Sequence, residues 1–260
     1  MKNLFRFSVL TLLAMALCAP AAVAGGPHSQ PGKIVVPCST ADSSPALADA
    51  LNAIPPGGTV FLKACTYYLS GPVQVTGSFR GRLKGSGKGK TLITTLPDAD
   101  GIEDVLIPNW ITNLDDPDVW GPTYGPTLFH FHTPEGMASD IRMSDLTIEI
   151  TDPDPAFASA RAGWFANALL AIITIDGQRV DTRLERLELK GAQTATWIGS
   201  NVFYGVEMWG TLDWSVPLDE PLGPNPMVGR HVIARSHFED LWVGYNTTEM
   251  IDSKVRMEGN

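Results

Sequence analysis

Basic residues are in short supply: 19 lysines and arginines face 28 aspartates and glutamates among 260 residues, for a formal charge of −9. That balance speaks against nucleic acid as a partner, because binding to a phosphate backbone rests on clustered cations. Charged residues of both signs reach only 18%, and mean hydropathy sits near zero. The chain is therefore neither a disordered polyelectrolyte nor a polytopic membrane protein. Long apolar runs are missing too: the most marked, residues 9–17, is too short to span a hydrocarbon core of about 30 Å, and Pro20 follows it. Cysteine is scarce, with three residues. Glycine (25) and proline (20) are plentiful, which favours many turns over long helices.

The short apolar run has a meaning of its own. Lys2 and Arg6 precede it, and small residues ending in Ala22-Val23-Ala24 follow, the pattern of a basic, an apolar and a cleavage region. Residues 1–24 are expected to be a signal peptide, leaving an exported chain, extracellular or periplasmic, with no membrane span. A lipoprotein reading would lipidate Cys18, but Leu17 is larger than the small residue expected before such a site. Loss of Lys2 and Arg6 leaves 17 basic residues against 28 acidic ones, a mature charge of −11. Two cysteines also remain, Cys38 and Cys65, and an even count in an exported chain reads as one disulfide. Two buried thiols are the alternative.

Along the mature chain, Ile34-Val35-Val36 reads as a strand. Ser44-Pro45 offers an N-cap with proline at the first helical position, and Leu47, Ala50, Leu51 and Ile54 recur at helical spacing. Pro55-Pro56-Gly57-Gly58 ends that helix, expected over about 44–54, and the sequence returns to β with Thr59-Val60-Phe61-Leu62. Farther on, Met143-Ser144-Asp145-Leu146-Thr147-Ile148, Leu184-Glu185-Arg186-Leu187-Glu188-Leu189 and Phe238-Glu239-Asp240-Leu241-Trp242-Val243 share one pattern. In each, two non-apolar residues interrupt a period of two, as a bend between two short strands would. The pattern predicts an array of short strands in repeats. Residues 96–127, 151–163 and 211–229 lack any period and are expected to be long irregular loops, where binding residues are most often carried.

The segment Gly57-Gly58-Thr59-Val60-Phe61-Leu62-Lys63-Ala64-Cys65-Thr66-Tyr67-Tyr68-Leu69, followed by Arg82-Leu83-Lys84-Gly85-Ser86-Gly87-Lys88-Gly89-Lys90-Thr91-Leu92-Ile93, resembles the N-terminal cap and first coils of the pectate lyase superfamily. Cys65 stands where many relatives carry glycine. The resemblance implies an all-β fold, a right-handed parallel β-helix (solenoid) with a short N-terminal cap helix and long lateral loops, forming a single domain over 25–260. It would set the strands bordering Cys38 and Cys65 side by side, which favours the disulfide. Met257-Glu258-Gly259-Asn260 looks like a coil turn. With nothing after it to cover the last coil, the expectation is an incomplete C-terminal end, an unusual family ending, or an inserted loop that folds over the open coil.

Several constellations bear on chemistry. Gly85-Ser86-Gly87-Lys88-Gly89-Lys90-Thr91 misses the phosphate-loop spacing by one residue, because Lys84 stands where the first glycine belongs. His130 and His132 flank Phe131 in a strand-like run, so both imidazoles leave one face and could share a metal, but the sequence places no third ligand. A surface or half-buried pair is the plainer reading, and His231 with His237 is weaker still. Acidic clusters at Asp98, Asp100, Glu103 and Asp104, at Asp115, Asp116 and Asp118, and at Asp152 and Asp154 are conceivable Ca2+ sites, since polyuronate lyases of the superfamily commonly use calcium.

Cleavage of a polysaccharide needs either two carboxylates, for hydrolysis, or a base beside a cation that neutralises a uronate, for elimination. Candidate catalytic residues are Glu207, Asp213, Arg235, Glu239 and Asp240, with Arg230 close by in sequence. No family motif carries over onto them. Trp110, Trp120, Trp164, Trp197, Trp209, Trp214 and Trp242 lie mostly in or beside the irregular segments and could stack on sugar rings or pack in the core. Two functions follow as expectations: a carbohydrate-active lyase or hydrolase acting on an extended glycan, or a non-catalytic β-helix that binds glycan or another partner.

Overall fold

A computed structural model describes residues 32–96, 106–112, 120–150, 169–193, 200–210, 226–248, 250 and 253–259. The architecture is mostly β, with one short helix. In chain order the elements are β1 (Lys33–Val36), α1 (Ser44–Ala53), β2 (Thr59–Leu62), β3 (Thr66–Leu69), β4 (Val73–Thr76), β5 (Arg80–Lys84), β6 (Leu92–Thr95), β7 (Leu106–Thr112) and β8 (Trp120–Thr133). They continue with β9 (Ser139–Glu149), β10 (Leu169–Gly177), β11 (Val180–Lys190), β12 (Val202–Trp209), β13 (Arg230–Ala234), β14 (His237–Glu239), β15 (Val243–Thr248) and β16 (Lys254–Glu258). The expected signal peptide and the expected loop at 151–163 lie outside the described residues, as does most of that at 211–229. Among the described residues no helix is long and apolar enough to cross a membrane.

The strands form two sheets, and the chain passes from one to the other and back. The first sheet runs β1-β2-β5-β9-β11-β13-β16, with β3 and β6 continuing it beside β9 and β14 beside β11; the second runs β15-β12-β10-β8-β4. Pairing is parallel along both of these paths, and β7 joins the second sheet antiparallel to β8. Parallel register stacks like on like. Val60, Leu83, Met143, Leu184 and Ile233 follow one another across the first sheet, and Val75, Phe131, Ile175 and Met208 across the second, all buried. These inward rows form the core, each fully buried aliphatic side chain contributing roughly 2 kcal/mol of transfer free energy.

The sequence repeat is visible in this register, with one correction. Residues 143–148 and 184–189 pair position for position, Met143 with Leu184, Leu146 with Leu187 and Ile148 with Leu189. The interruption in each is a corner, where Asp145 (φ 62) and Arg186 (φ 51) take left-handed backbone. The third copy is offset. Phe238 pairs with Leu189, and Ile233 takes the place opposite Leu184, so the register equivalent of those corners is Arg235 (φ 54), while Asp240 (φ 52) makes a further left-handed bend between β14 and β15. Leu241 and Trp242 lie between β14 and β15, where they mimic the pattern without sharing its place.

The corner is closely packed. Arg186 donates to both oxygens of Asp145, at 2.5 and 2.8 Å, and holds that carboxyl below its ordinary range. Just past β5, the strand beside β9, Gly85 sits under Asp145, and a methyl there would run into the Asp145 carbonyl and approach Leu146 Cβ to 2.8 Å. Gly85→Ala is therefore expected to cost about 1–3 kcal/mol, read as a lower urea midpoint.

A second correction concerns residues 96–127. The structure sets β7 antiparallel to β8 from Leu106–Pro126 to Thr112–Trp120. Proline and glycine at 108, 121, 122, 125 and 126 hide the alternation on which sequence reading of a strand depends.

α1 matches the helix expected from 44–54 except at its start. The N-cap is Ser43, one residue earlier, and the side chain that caps the turn belongs to Asp42, whose Oδ1 accepts from Ser44 N–H (2.9 Å) and from Ser70 N–H (3.0 Å). Leu47, Ala50 and Leu51 face inward, and α1 packs on β1 and β4, the first strands of the two sheets. Beside it Cys38 and Cys65 form a disulfide with Cα atoms 6.2 Å apart. At the other end, Val255 and Met257 of β16 are exposed.

His231 lies inside, fully buried, with Nδ1 2.8 Å from Thr182 Oγ1. Burial pushes its pKa down to about 4, so the folded protein holds it neutral. Because the folded value lies below the unfolded one, this group favours the fold above the unfolded pKa and withdraws that support as pH falls toward 4. Unfolding by urea is expected to need about 3 kcal/mol less at pH 4 than at pH 7 from this group alone. His231→Leu should flatten that part of the profile.

Candidate functional site

The outward face of the second sheet carries the candidate site. On β8, Phe129 and Phe131 are buried in the core, so His130 and His132 both point the other way. β10 pairs with β8 so that Thr174 stands beside His130 and Asp176 beside His132. The Asp176 carboxylate spans the two rings: Oδ1 lies 2.7 Å from His130 Nε2, and Oδ2 lies 2.6 Å from His132 Nδ1.

The electrostatics follow from this geometry. Burial would raise the Asp176 pKa, but hydrogen bonds from His130 and His132 outweigh it and hold the carboxyl below its ordinary range. An ionised carboxylate only accepts, so each imidazole donates to it, His130 from Nε2 and His132 from Nδ1. That leaves the lone pair of His132 on Nε2. The Asp176 hydrogen bond raises the His132 pKa above the usual imidazole value, against the opposing effect of burial. His132 is also the most open of the three, its side chain 34% exposed against 14% for His130 and 13% for Asp176. The arrangement is an oriented, carboxylate-backed imidazole, competent to take up or give back a proton.

The same three side chains offer one ligand atom each within 4.8 Å of one another, so they could hold a metal ion. Two nitrogens and one oxygen suit a transition metal; the oxygen-rich shell that calcium requires is not present in this trio. The acidic clusters expected as calcium sites at 98–104, 115–118 and 152–154 lie outside the described residues.

The sequence candidates divide between the two sheets. Glu207 stands on β12 in register with Thr174, on the same face as the trio, but is only 1% exposed. Trp209, in register with Asp176, is 3% exposed. Arg235 is at a corner of the first sheet, 3.4 Å from Glu185. Glu239, nearby on β14, lies 3.3 Å from Lys190 Nζ, and Asp240 accepts from Gln193 Nε2 at 2.9 Å. None of the last three joins Glu207. Asp213 is outside the described residues, as are Trp164, Trp197 and Trp214; Trp110 and Trp120 fall on β7 and β8. Trp242 is 44% exposed and packs against Phe203, with ring centroids 4.1 Å apart.

Asp176 escaped sequence reading because it lies 44 residues from His132, at the end of a run that reads as apolar. Only the pairing of β8 with β10 brings it there.

The fold and site together define a mostly β protein of parallel sheets with one disulfide and a His-Asp-His cluster on an outer sheet face. Compared with known proteins, the chain matches no family model, no curated protein and no solved structure.

Proposed function

We propose that this chain is an exported right-handed parallel β-helix of the kind its N-terminal motifs resemble in the pectate lyase superfamily, and that it cleaves an extended, carboxylated glycan by β-elimination. The cluster of His130, His132 and Asp176 carries this reading. Elimination needs a base at the carbon beside the sugar carboxylate, and His132, oriented by Asp176, supplies one. Its Nε2 takes the proton, the electron pair of that C–H bond forms the ring double bond, and the glycosidic C–O bond breaks. The departing oxygen then takes a proton from an acid, a role the imidazolium can fill.

Hydrolysis fits the cluster less well. It requires a protonated carboxyl that reaches the sugar, whereas Asp176 is held ionised and Glu207, only 1% exposed, is closed off from a polymer. Export, to the periplasm or beyond, is supported by the N-terminal pattern and by the Cys38–Cys65 bond.

The test is a panel of carboxylated polysaccharides, pectic and alginate-type, assayed for the ultraviolet absorbance of an unsaturated product with added calcium and with chelator. Wild type should generate that product from at least one polymer. The base must be neutral to act, so the rate should rise with pH through an inflection above the ordinary imidazole value. Binding without unsaturated product or new reducing ends would replace the catalytic reading by a glycan-binding one.

A further inference from the structure

The outward face of the first sheet carries its cations in rows. Arg82 on β5, Arg142 on β9 and Arg183 on β11 occupy one register row, and Arg256 on β16 resumes it after Val232. A second row on the same face holds Arg80, Arg230 and Lys254, with Asp140 and Asp181 between them. All seven cations are exposed. They are seven of only 19 lysines and arginines in a chain of formal charge −9.

Like charges directly opposite on neighbouring strands repel, so a row of arginines is a cost to the fold. Local acids offset part of it: Asp140 accepts from Arg142 at 3.0 and 2.6 Å, Glu185 from Arg183 at 2.5 Å, and Glu258 pairs with Arg256. Arg82, Arg230 and Lys254 have no ion-pair partner among the described residues. Two adjoining open depressions, of about 550 and 590 Å³, share Arg82, Asp140 and Arg142. They make one groove crossing the strands from Thr59 on β2 to Val232 on β13.

We infer that this groove is a second binding surface, for an extended anionic polysaccharide laid across the strands. Neighbouring strands stand about 4.8 Å apart, so on β5, β9 and β11 the row presents one guanidinium per strand at a spacing close to that of successive sugar rings. Guanidinium forks match carboxylate and sulfate oxygens alike. Asp140 and Asp181, side by side in the second row, leave the surface poorly suited to a continuous phosphate backbone, whose binding grows with uninterrupted positive charge. The surface is independent of the His-Asp-His cluster, which lies on the other sheet.

The test measures affinity for polygalacturonate, dextran sulfate, neutral dextran and a DNA duplex at low and moderate salt, for wild type and for Arg82→Glu/Arg230→Glu. Arg82→Gln, which keeps most of the side-chain volume, serves as a milder second variant, and thermal melting confirms that each folds. Wild type should bind the carboxylated or the sulfated polymer, whichever arm responds identifying the anion, and should ignore neutral dextran. The double variant should lose at least tenfold in affinity and Arg82→Gln a smaller factor, with binding falling as salt rises. Lys63→Glu, which reverses an exposed cation outside both rows, should bind like wild type, which separates this surface from general charge attraction. Failure to bind either polymer, unchanged affinity in both variants, or equal binding of the DNA duplex would overturn the inference.

Discussion

Asp176→Asn should lower the rate of glycan cleavage by up to about 10⁴-fold, on the scale seen when the carboxylate behind a catalytic imidazole is replaced by its amide. The amide presents one donor and one acceptor where the carboxylate presents two acceptors. One of His130 and His132 must then change tautomer or lose its bond. If His132 turns over, its Nε2 carries a proton and can no longer accept one. The variant should also lose the interaction that raises the His132 pKa. Any residual activity should therefore show its pH inflection at a lower value than wild type. The side chains are nearly isosteric, so the melting temperature at neutral pH should change far less than the rate, and circular dichroism distinguishes lost chemistry from lost fold. His132→Ala should fall as far in rate, with no compensating gain at any pH. A structural role alone would leave the pH inflection where it was.

The second large effect concerns stability. Cys38→Ser/Cys65→Ser opens a loop of 27 residues and should cost about 3 kcal/mol in the chain-entropy model. The bond ties the segment between β1 and α1 to the turn between β2 and β3, where α1 covers the ends of both sheets. Loss should be felt first there. Leu47 and Leu51 would gain access to water, and amide exchange should quicken in α1, β1 and β4 before it does in β9 or β11. Equilibrium unfolding in urea, compared with the wild type oxidised and reduced, gives the magnitude. A double variant as stable as the oxidised wild type would mean that packing of α1 alone closes this end.

Legibility in the sequence followed the range of the interactions involved. Local rules found α1, through Pro45 and the spacing of Leu47, Ala50 and Leu51. They also found the corners of β9 and β11, because the break in alternation is encoded within six residues. They found the left-handed bend at Asp240 but missed the one at Arg235, five residues earlier, which is the register equivalent of the other two and which nothing local marks. They missed β7 and the start of β8 for a related reason. An antiparallel pair can tolerate prolines and glycines that erase the periodicity of either strand alone.

The candidate site depended on pairing over longer distances. The two histidines were legible as a same-face pair from their spacing. Asp176 was not, because the pairing of β8 with β10 across the intervening chain sets which residue of β10 meets His132. The arginine rows of the first sheet were hidden likewise. Arg82, Arg142 and Arg183 are ordinary strand residues in sequence, and only the parallel register collects them into one line.

The most direct measurement is the ultraviolet absorbance of product formed from pectic and alginate-type polymers by wild type, Asp176→Asn and His132→Ala across pH 5 to 9. The proposed mechanism predicts an unsaturated product from wild type, rising with pH and abolished in both variants while their folds persist. Product formed at the wild-type rate by Asp176→Asn would contradict it, as would the absence of product from every polymer by folded wild type.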